Sequence, residues 1–181
     1  MPSRLSKTVQ LDLYLMGQLP LAHRALIEGA IKVRNNAQAP YSHYFVGAAA
    51  LSESGKIYTG CNVENVNWTA TTHAEQNAIA SMIAAEGPVK LEAIAIVGAP
   101  EGATPNVARD SNKRPANVEV GNLNPSCGHC LQIEWENCLG DPDVPLFFLT
   151  PWGEIGITTI GDAYPMPFGP EALGINIKKR G

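Results

Sequence analysis

Charged residues are scarce in this chain, and extended basic runs are absent. Only 17% of the 181 residues are Asp, Glu, Lys or Arg, against roughly one quarter in an average soluble domain. The formal net charge is −4, and the longest basic run is Lys178–Arg180. Binding to a nucleic-acid backbone normally requires a basic stripe, so we expect no nucleic-acid partner. A small polar ligand fits this composition better, and the low charge favours burial of some surface against other subunits.

The chain also lacks the apolar runs that mark membrane segments. No stretch approaches the roughly 20 apolar residues of a transmembrane helix, so we expect no membrane partner. Residues 1–15 contain neither a continuous apolar segment nor a small-residue cleavage site, which argues against a signal peptide. There are four cysteines, and two form a Cys-x-x-Cys pair. In an intracellular chain such a pair is more often a metal or redox site than a disulfide, and we expect a cytoplasmic protein.

Apolar residues make up 45% of the chain, enough for a sizeable core. The length favours one domain over residues 1–181, and neither internal repeats nor low-complexity segments occur. We expect residues 1–17 to form a peripheral arm. Residues 99–124 are rich in Pro, Asn and Gly without periodicity, and they predict a long inserted loop.

Hydrophobic patterning and breaker residues predict helices alternating with short strands. Helices are expected over 20–37, 73–86 and 126–138, and strands over 45–51, 56–61, 91–98, 145–150 and 154–160. The order of these elements is typical of an α/β fold in which helices cover the faces of one sheet.

The stretch TTHAEQNAIA, residues 71–80, places His73 and Glu75 in the first turn of an otherwise apolar helix. A purely structural interpretation is available, because Thr72-x-x-Glu75 has the pattern of a capping box. A lone histidine is usually not a metal ligand. The alternative is that this polar turn forms the floor of a reaction site.

Cys127-Gly-His-Cys130 lies at the start of another predicted helix, where the helix dipole favours thiolates. By itself the pair is compatible with a metal site, a redox pair or two buried thiols. Together, H-x-E and the following P…C-x-x-C form the signature of zinc nucleoside and nucleobase deaminases. Three ligands, His73, Cys127 and Cys130, leave the fourth tetrahedral position open, which is the catalytic rather than the structural pattern.

The chain resembles the cytidine deaminase family from about residue 20 onward. Five segments carry the resemblance, in family order: residues 39–51 (APYSHYFVGAAAL), 61–65 (CNVEN), 73–79 (HAEQNAI), 127–132 (CGHCLQ) and 167–175 (PFGPEALGI). The resemblance implies a three-layer α/β/α fold with a mixed five-stranded sheet. It also implies Zn²⁺ as cofactor, a small nucleoside substrate and a homo-oligomer, dimer or tetramer, with shared active sites.

The reaction implied by the resemblance is hydrolytic deamination of a cytosine ring to uracil with release of ammonia. Zinc held by His73, Cys127 and Cys130 would activate water for attack on ring C4. Glu75 would be the catalytic acid and base, taking the proton of the water, passing it to N3 and then helping the leaving amine depart.

Substrate contacts are also implied position by position. Asn62 and Glu64 match residues that bond the sugar hydroxyls, although an ordinary turn after a strand explains them as well. Tyr44 stands where the family usually has Phe against the substrate, and Phe45 follows it; either could be a core aromatic.

Two further contacts follow from the same resemblance. The backbone of Ala74 would meet the edge of the base. Phe168 matches an aromatic residue that reaches into the pocket of a neighbouring subunit, and a core aromatic beside two prolines is the competing interpretation.

The sequence departs from the family pattern at several points. Ser126 stands directly before the first cysteine, where Pro is usual, and could shift the helix start by one residue. Leu131 replaces the common Arg, a loss that is tolerable when His73 replaces a third thiolate.

His73 and Cys127 are 54 positions apart, and the excess over short family members is the 99–124 loop. Its place in the chain puts it near the rim of the pocket. Asp110, Lys113 and Arg114 could contact a ligand there, although a solvated loop is the competing interpretation.

These observations leave more than one function open. Deamination of cytidine or deoxycytidine, in pyrimidine salvage, is the leading hypothesis. A modified cytosine nucleoside, such as a nucleoside antibiotic or a ring-substituted cytidine, is the second. A non-catalytic zinc scaffold is disfavoured because it would not need Glu75.

Overall fold

The computed structural model describes residues 4–108, 110–119, 123 and 125–176. The basic run Lys178–Arg180 lies outside the described residues, as do positions 1–3 of the predicted arm and positions 109, 120–122 and 124 of the predicted loop. Within the described ranges, no helix has both the length and the apolar character required to cross a bilayer.

Among the described residues, six strands and four α-helices form the framework. The strands are β1 (Asp12–Tyr14), β2 (Tyr44–Ser52), β3 (Ile57–Cys61), β4 (Leu91–Pro100), β5 (Pro145–Leu149) and β6 (Ile155–Thr159). The helices are α1 (Leu21–Arg34), α2 (Ala74–Glu86), α3 (Gly128–Asn137) and the short α4 (Ile160–Ala163). Three-residue and four-residue 3₁₀ turns cover Met16–Gln18, Trp68–Ala70 and Pro170–Leu173.

The strands form one mixed sheet in the order β1-β6-β5-β4-β2-β3. β4 and β5 are parallel, and every other neighbouring pair is antiparallel. The parallel pair requires a crossover between β4 and β5, and this crossover contains the long loop and α3. The predicted mixed sheet with helices on its faces is confirmed.

Alternation along the strands sends side chains to two separate cores, one on each face of the sheet. In β2, Ala48 and Ala50 join the core beneath α2, whereas Ala49 joins the core beneath α1. In β5, Leu146 and Phe148 belong to the first core and Phe147 to the second. This division produces the three-layer α/β/α arrangement.

The sheet has six strands rather than the five expected, because part of the predicted arm is a strand. β1 pairs antiparallel with β6 in the register Leu13 to Gly156. The segment VQLDLYL, residues 9–15, does alternate between apolar and polar residues, so a period-2 signal was present. Its three paired residues lie at the sheet edge, where a short strand gives only weak patterning.

The start of α2 differs from the predicted capping box. His73, not Thr72, is the N-cap, and the Oε1 atom of Gln76 accepts from the His73 backbone N–H at 3.5 Å. Gln76 therefore occupies the position assigned to Glu75, and the Glu75 carboxylate is not needed to cap the helix. α2 ends at Glu86, and its C-cap is Gly87, whose φ of 81° lies in the region that glycine tolerates.

Gly60 in β3 allows α2 to approach the sheet closely. A Cβ atom at this position would collide with the backbone of Ala74 and of Ala78 in α2. Because the first turn of α2 is fixed this way, β3 determines where the polar residues at the mouth of that helix lie.

The long loop is anchored rather than freely solvated. The Arg114 guanidinium donates to both carboxylate oxygens of the buried Glu154, at 2.7 and 2.5 Å. The Ala108 N–H donates to the Gly153 carbonyl at 2.7 Å, and Leu123 is buried in the core. Arg114 is therefore engaged by the β5–β6 turn.

Candidate active site

Three side chains from two helix N-termini converge at one end of the sheet. The Nδ1 atom of His73 lies 3.4 Å from the Sγ atom of Cys127 and 3.3 Å from that of Cys130. All three candidate ligand atoms lie within 4.8 Å of one another. The two helices hold them there because His73 is the N-cap of α2, Cys127 is the N-cap of α3, and Cys130 lies in the first turn of α3.

The spacing of these atoms fits a tetrahedral zinc ion. Zinc–sulfur bonds of about 2.3 Å and zinc–nitrogen bonds of about 2.0 Å at tetrahedral angles require N···S separations of about 3.5 Å. The observed separations of 3.4 and 3.3 Å from Nδ1 are close to that value. One imidazole and two thiols form a donor set that zinc prefers.

The electrostatic environment of these side chains also favours a bound cation. Burial raises the pKa of the Cys130 thiol, and the neighbouring Glu75 carboxylate raises it further. A thiolate in this position is therefore stabilised by positive charge, which a divalent metal supplies. The dipoles of α2 and α3 add partial positive charge at the same point.

Glu75 lies beside this cluster and lines a cleft of about 780 Å³ together with His73 and Cys127. Its side chain is almost fully buried, at 6% exposure. The Ser126 hydroxyl lies 3.2 Å from the Oε1 atom of Glu75. Among the hydrogen bonds of the described residues, none reaches the Oε2 atom of Glu75.

Glu64 lines the same cleft as a buried carboxylate. Burial alone would raise the pKa of Glu64, but hydrogen bonds from Ser42 and Tyr41 and the proximity of His43 hold it below its ordinary value. The backbone N–H groups of Tyr41 and Ser42 donate to its Oε2 atom at 3.0 and 3.1 Å. Glu64 is therefore an ionised hydrogen-bond acceptor at neutral pH.

Asn62 also lines the cleft, but its amide is engaged at both ends by β2. Its Nδ2 donates to the Tyr44 carbonyl at 2.9 Å, and its Oδ1 accepts from the Val46 N–H at 2.9 Å. An amide oxygen has two lone pairs, so Oδ1 retains one acceptor position for a ligand.

The predicted site residues divide into two groups by their position. Seven line the cleft or complete the metal cluster beside Glu75: His73, Cys127, Cys130, Asn62, Glu64, Tyr44 and Ala74. Phe45 does not line the cleft, because alternation along β2 turns it to the other face, where its ring lies 5.9 Å from the Arg34 guanidinium carbon. Phe168 is 61% exposed and lies outside the cleft of its own chain.

Two residues that no sequence motif marks as functional are linked to Glu75: Ser126, which also lines the cleft, and Glu134, which Ser126 contacts. Ser126 stands out in the sequence only as a departure from the family pattern, and no sequence motif includes Glu134. Glu134 lies one helical turn after Cys130 on the buried face of α3. A carboxylate at i+4 from a predicted ligand was therefore the available signal.

Comparisons with known proteins agree with this geometry. Residues 21–137 match the family model for the "cytidine and deoxycytidylate deaminase zinc-binding region". The cytidine deaminase of Sporosarcina psychrophila is 33% identical to this chain over 148 residues, which cover 82% of this chain and 92% of that protein. The cytidine deaminase of Halalkalibacterium halodurans is 34% identical over 148 residues, which cover 82% of this chain and 95% of that protein. The crystal structure of cytidine deaminase from Burkholderia pseudomallei aligns with a TM-score of 0.61 at 33% identity, covering 81% of this chain and 98% of that one.

Proposed function

Because this chain belongs to the cytidine and deoxycytidylate deaminase family, we propose that it catalyses hydrolytic deamination of cytidine and deoxycytidine to uridine and deoxyuridine, with release of ammonia. The observation that carries the proposal is the convergence of His73, Cys127 and Cys130 at one edge of the cleft that Glu75 lines. The chain is a zinc-dependent hydrolase in this account, and these three residues hold the metal.

Zinc, when bound, supplies the Lewis acidity that makes water a nucleophile at neutral pH. Glu75 accepts a proton from the attacking water at Oε2, since Oε1 is engaged by Ser126. The same carboxyl delivers this proton to N3 of the ring. It then takes the second proton of the water from the hydroxyl now bonded to ring C4 and delivers it to the departing amine. One water is consumed and one ammonia is released for each cytosine converted to uracil.

Glu64 and Asn62 orient the sugar of the substrate. Glu64 is ionised and pre-positioned by two backbone N–H groups, so it can accept from a sugar hydroxyl without reorganisation. Asn62 offers its remaining acceptor position beside it. The Ala74 backbone and the Tyr44 ring contact the base, and Phe45 supports β2 from the opposite face.

A homo-oligomer is part of the proposal. Several apolar side chains are unusually exposed for a monomer, among them Val66 at 80% and Trp68 at 63%. Phe168, at 61% exposure, is available to reach the cleft of a second copy. Light scattering coupled to size exclusion would measure the mass; a monomer at assay concentration would rule out shared sites.

We also propose that the chain acts as one domain in the cytoplasm, in pyrimidine salvage. The thiols of Cys127 and Cys130 must be reduced to hold zinc, which a reducing compartment ensures. Fractionation of the source cells would test the location, and enrichment outside the cytosol would contradict it.

A modified cytosine nucleoside remains the second candidate substrate. It is supported by Pro125 and Ser126, which follow the long loop and line the same cleft as the hydroxyl-bearing Tyr44. Steady-state rates on cytidine, deoxycytidine and ring-substituted cytidines would separate the candidates. If a substituted analogue is turned over well while cytidine and deoxycytidine are both poor, the first choice of substrate is wrong.

A further inference from the structure

A second buried carboxylate lies directly behind Glu75. The side chain of Glu134 in α3 is fully buried, at 0% exposure. Its Oε1 atom lies 2.8 Å from the Ser126 hydroxyl oxygen, whose other close partner is Oε1 of Glu75 at 3.2 Å. Within the described part of the chain, the Oε2 atom of Glu134 has no hydrogen-bond partner. Neither the general-base role of Glu75 nor the metal cluster explains a buried acid at this position.

The hydroxyl of Ser126 has one hydrogen but two carboxyl neighbours. A hydroxyl can donate only once, although it can accept twice. If both Glu75 and Glu134 were ionised, one of these oxygen–oxygen contacts would join two acceptors. Both contacts are satisfied only when one carboxyl carries a proton and donates it to Ser126, which in turn donates to the other.

The surroundings of the two carboxyls indicate which one is neutral. Glu75 faces the cleft and the cluster of metal ligands, whereas Glu134 is sealed in the protein and forms no ion pair within the described residues. Burial, reinforced by the negative charge of Glu75, raises the pKa of Glu134 to about 8. An isolated buried charge is costly, so the neutral acid is the stable form at neutral pH.

We propose that Ser126 and neutral Glu134 form a positioning pair that fixes the carboxylate of the general base. In this arrangement Glu134 donates to Ser126, and Ser126 donates to Oε1 of Glu75. The pair holds Oε2 toward the reacting water and restrains the carboxylate from rotating. The inference rests on the proposed role of Glu75 in deamination. Ser126 lines the cleft, but its role in the pair is to orient the Glu75 carboxylate, whereas Glu134 does not line the cleft.

The pair makes a specific prediction about turnover. Small displacements of a catalytic group lower the rate without weakening substrate binding. We expect Ser126→Ala to lower kcat for cytidine about 10- to 100-fold with KM within about twofold and zinc retained. Ser126→Thr keeps the hydroxyl and is expected to restore most of the rate.

Two Glu134 variants test whether this side chain acts by donating a hydrogen bond to Ser126 or only by filling space. The amide of Glu134→Gln can donate to Ser126 as the neutral acid does, so its kcat should stay within about twofold of wild type. Glu134→Leu fills the space but cannot donate, and it should lose as much kcat as Ser126→Ala. The double variant Ser126→Ala/Glu134→Leu should have the same kcat as either single variant, because both substitutions break the same hydrogen-bonded chain from Glu134 through Ser126 to Glu75.

Glu86 offers a matched control at the far end of α2. Its Oε1 atom accepts from the hydroxyl of Ser54 at 2.8 Å, and it lies about 16 Å from Glu75 along the helix. Glu86→Gln and Ser54→Ala should leave kcat unchanged. If the kcat of Ser126→Ala also stays within twofold of wild type, the positioning pair is refuted. It is refuted as well if the kcat of Glu134→Gln is as low as that of Glu134→Leu.

An infrared measurement tests the same inference without turnover. At neutral pH, the wild-type spectrum minus that of Glu134→Gln should show the C=O stretching band of a protonated carboxyl. A difference that contains only carboxylate bands would overturn the inference. Failure of the wild type to deaminate any cytosine nucleoside would instead reject the proposed function, and the infrared result would stand by itself.

Discussion

The Nδ1 atom of His73 lies 3.3 Å from the Sγ atom of Cys130, although 57 positions separate the two residues in the chain. Each sits at the N-terminal end of a different helix, and the two helices pack on the same face of the sheet. The fold therefore brings a nitrogen and two sulfurs to one point, and the metal site depends on tertiary packing rather than on a continuous segment.

Removal of one thiol should release the metal. In Cys127→Ala the cluster loses one of its three ligands. Loss of a hydrogen bond to a metal ligand typically weakens metal binding about 10- to 100-fold, so we expect loss of the ligand itself to lower zinc affinity by more than about 100-fold. Metal analysis after competition with a chelator measures the change. Cys61→Ser, which alters a thiol outside the cluster, serves as control. Equal zinc content in wild type and Cys127→Ala would contradict the assigned ligands.

Glu64→Gln should weaken binding through the sugar. A hydrogen bond to a charged group contributes about 1.5–3 kcal/mol, so kcat/KM for cytidine should fall about 10- to 100-fold. With 2′,3′-dideoxycytidine, which lacks the diol, wild type and variant should differ by less than about threefold. The same loss on both substrates would show that Glu64 supports the site rather than binding the sugar.

A methyl group on Gly60 should disturb the mouth of α2. The added Cβ meets the backbone of Ala74 and Ala78, which cannot move as a flexible side chain would. We expect Gly60→Ala to destabilise the fold by about 1–3 kcal/mol and to weaken zinc binding. Gly17→Ala, whose Cβ would meet no atom within 4 Å, is the control. Denaturant unfolding measures the stability of both variants. If Gly60→Ala is as stable as Gly17→Ala and wild type, the close approach of α2 to β3 at Gly60 is refuted.

The Arg114–Glu154 ion pair should make stability depend on pH. Arg114 holds the pKa of Glu154 below its ordinary value, so the pair stabilises the fold above the ordinary glutamate pKa of about 4.3. That contribution is lost as the pH falls through the lowered pKa. The stability advantage of wild type over Arg114→Met should therefore be largest at neutral pH and shrink below about pH 4. Unfolding curves across this range measure it.

The neighbouring, exposed Lys113 provides the comparison for that experiment. Lys113→Met removes the same charge from the loop without touching Glu154, and its effect on stability should be small at every pH. If wild type keeps the same stability advantage over Arg114→Met from neutral to acidic pH, the guanidinium stabilises the fold by packing alone.

Much of the framework could be predicted from the sequence because the strong signals are local. Gly87 marks the end of α2, and the apolar runs mark β2 and β4 within a few residues. The edge strand β1 was missed because only three residues pair, although Leu11, Leu13 and Leu15 alternate with polar neighbours.

The detailed contacts inside the site could be predicted less well from the sequence. The pattern at Thr72 and Glu75 satisfies the capping-box rule, yet Gln76 takes that role because the helix starts one residue later. Whether Phe45 faces the cleft depends on the register of β2, which a one-residue shift reverses. The contact between Ser126 and Glu134 depends on how α3 packs, which no local pattern encodes.

The most direct test of the account is turnover by Glu75→Gln with its metal in place. The substitution keeps the shape of the side chain but removes the base, so kcat for cytidine should fall at least about 100-fold while zinc stays near one per chain. Glu86→Gln, the same change at the other end of α2, should match wild type. If Glu75→Gln retains both its zinc and a kcat within twofold of wild type, the proposed mechanism is wrong.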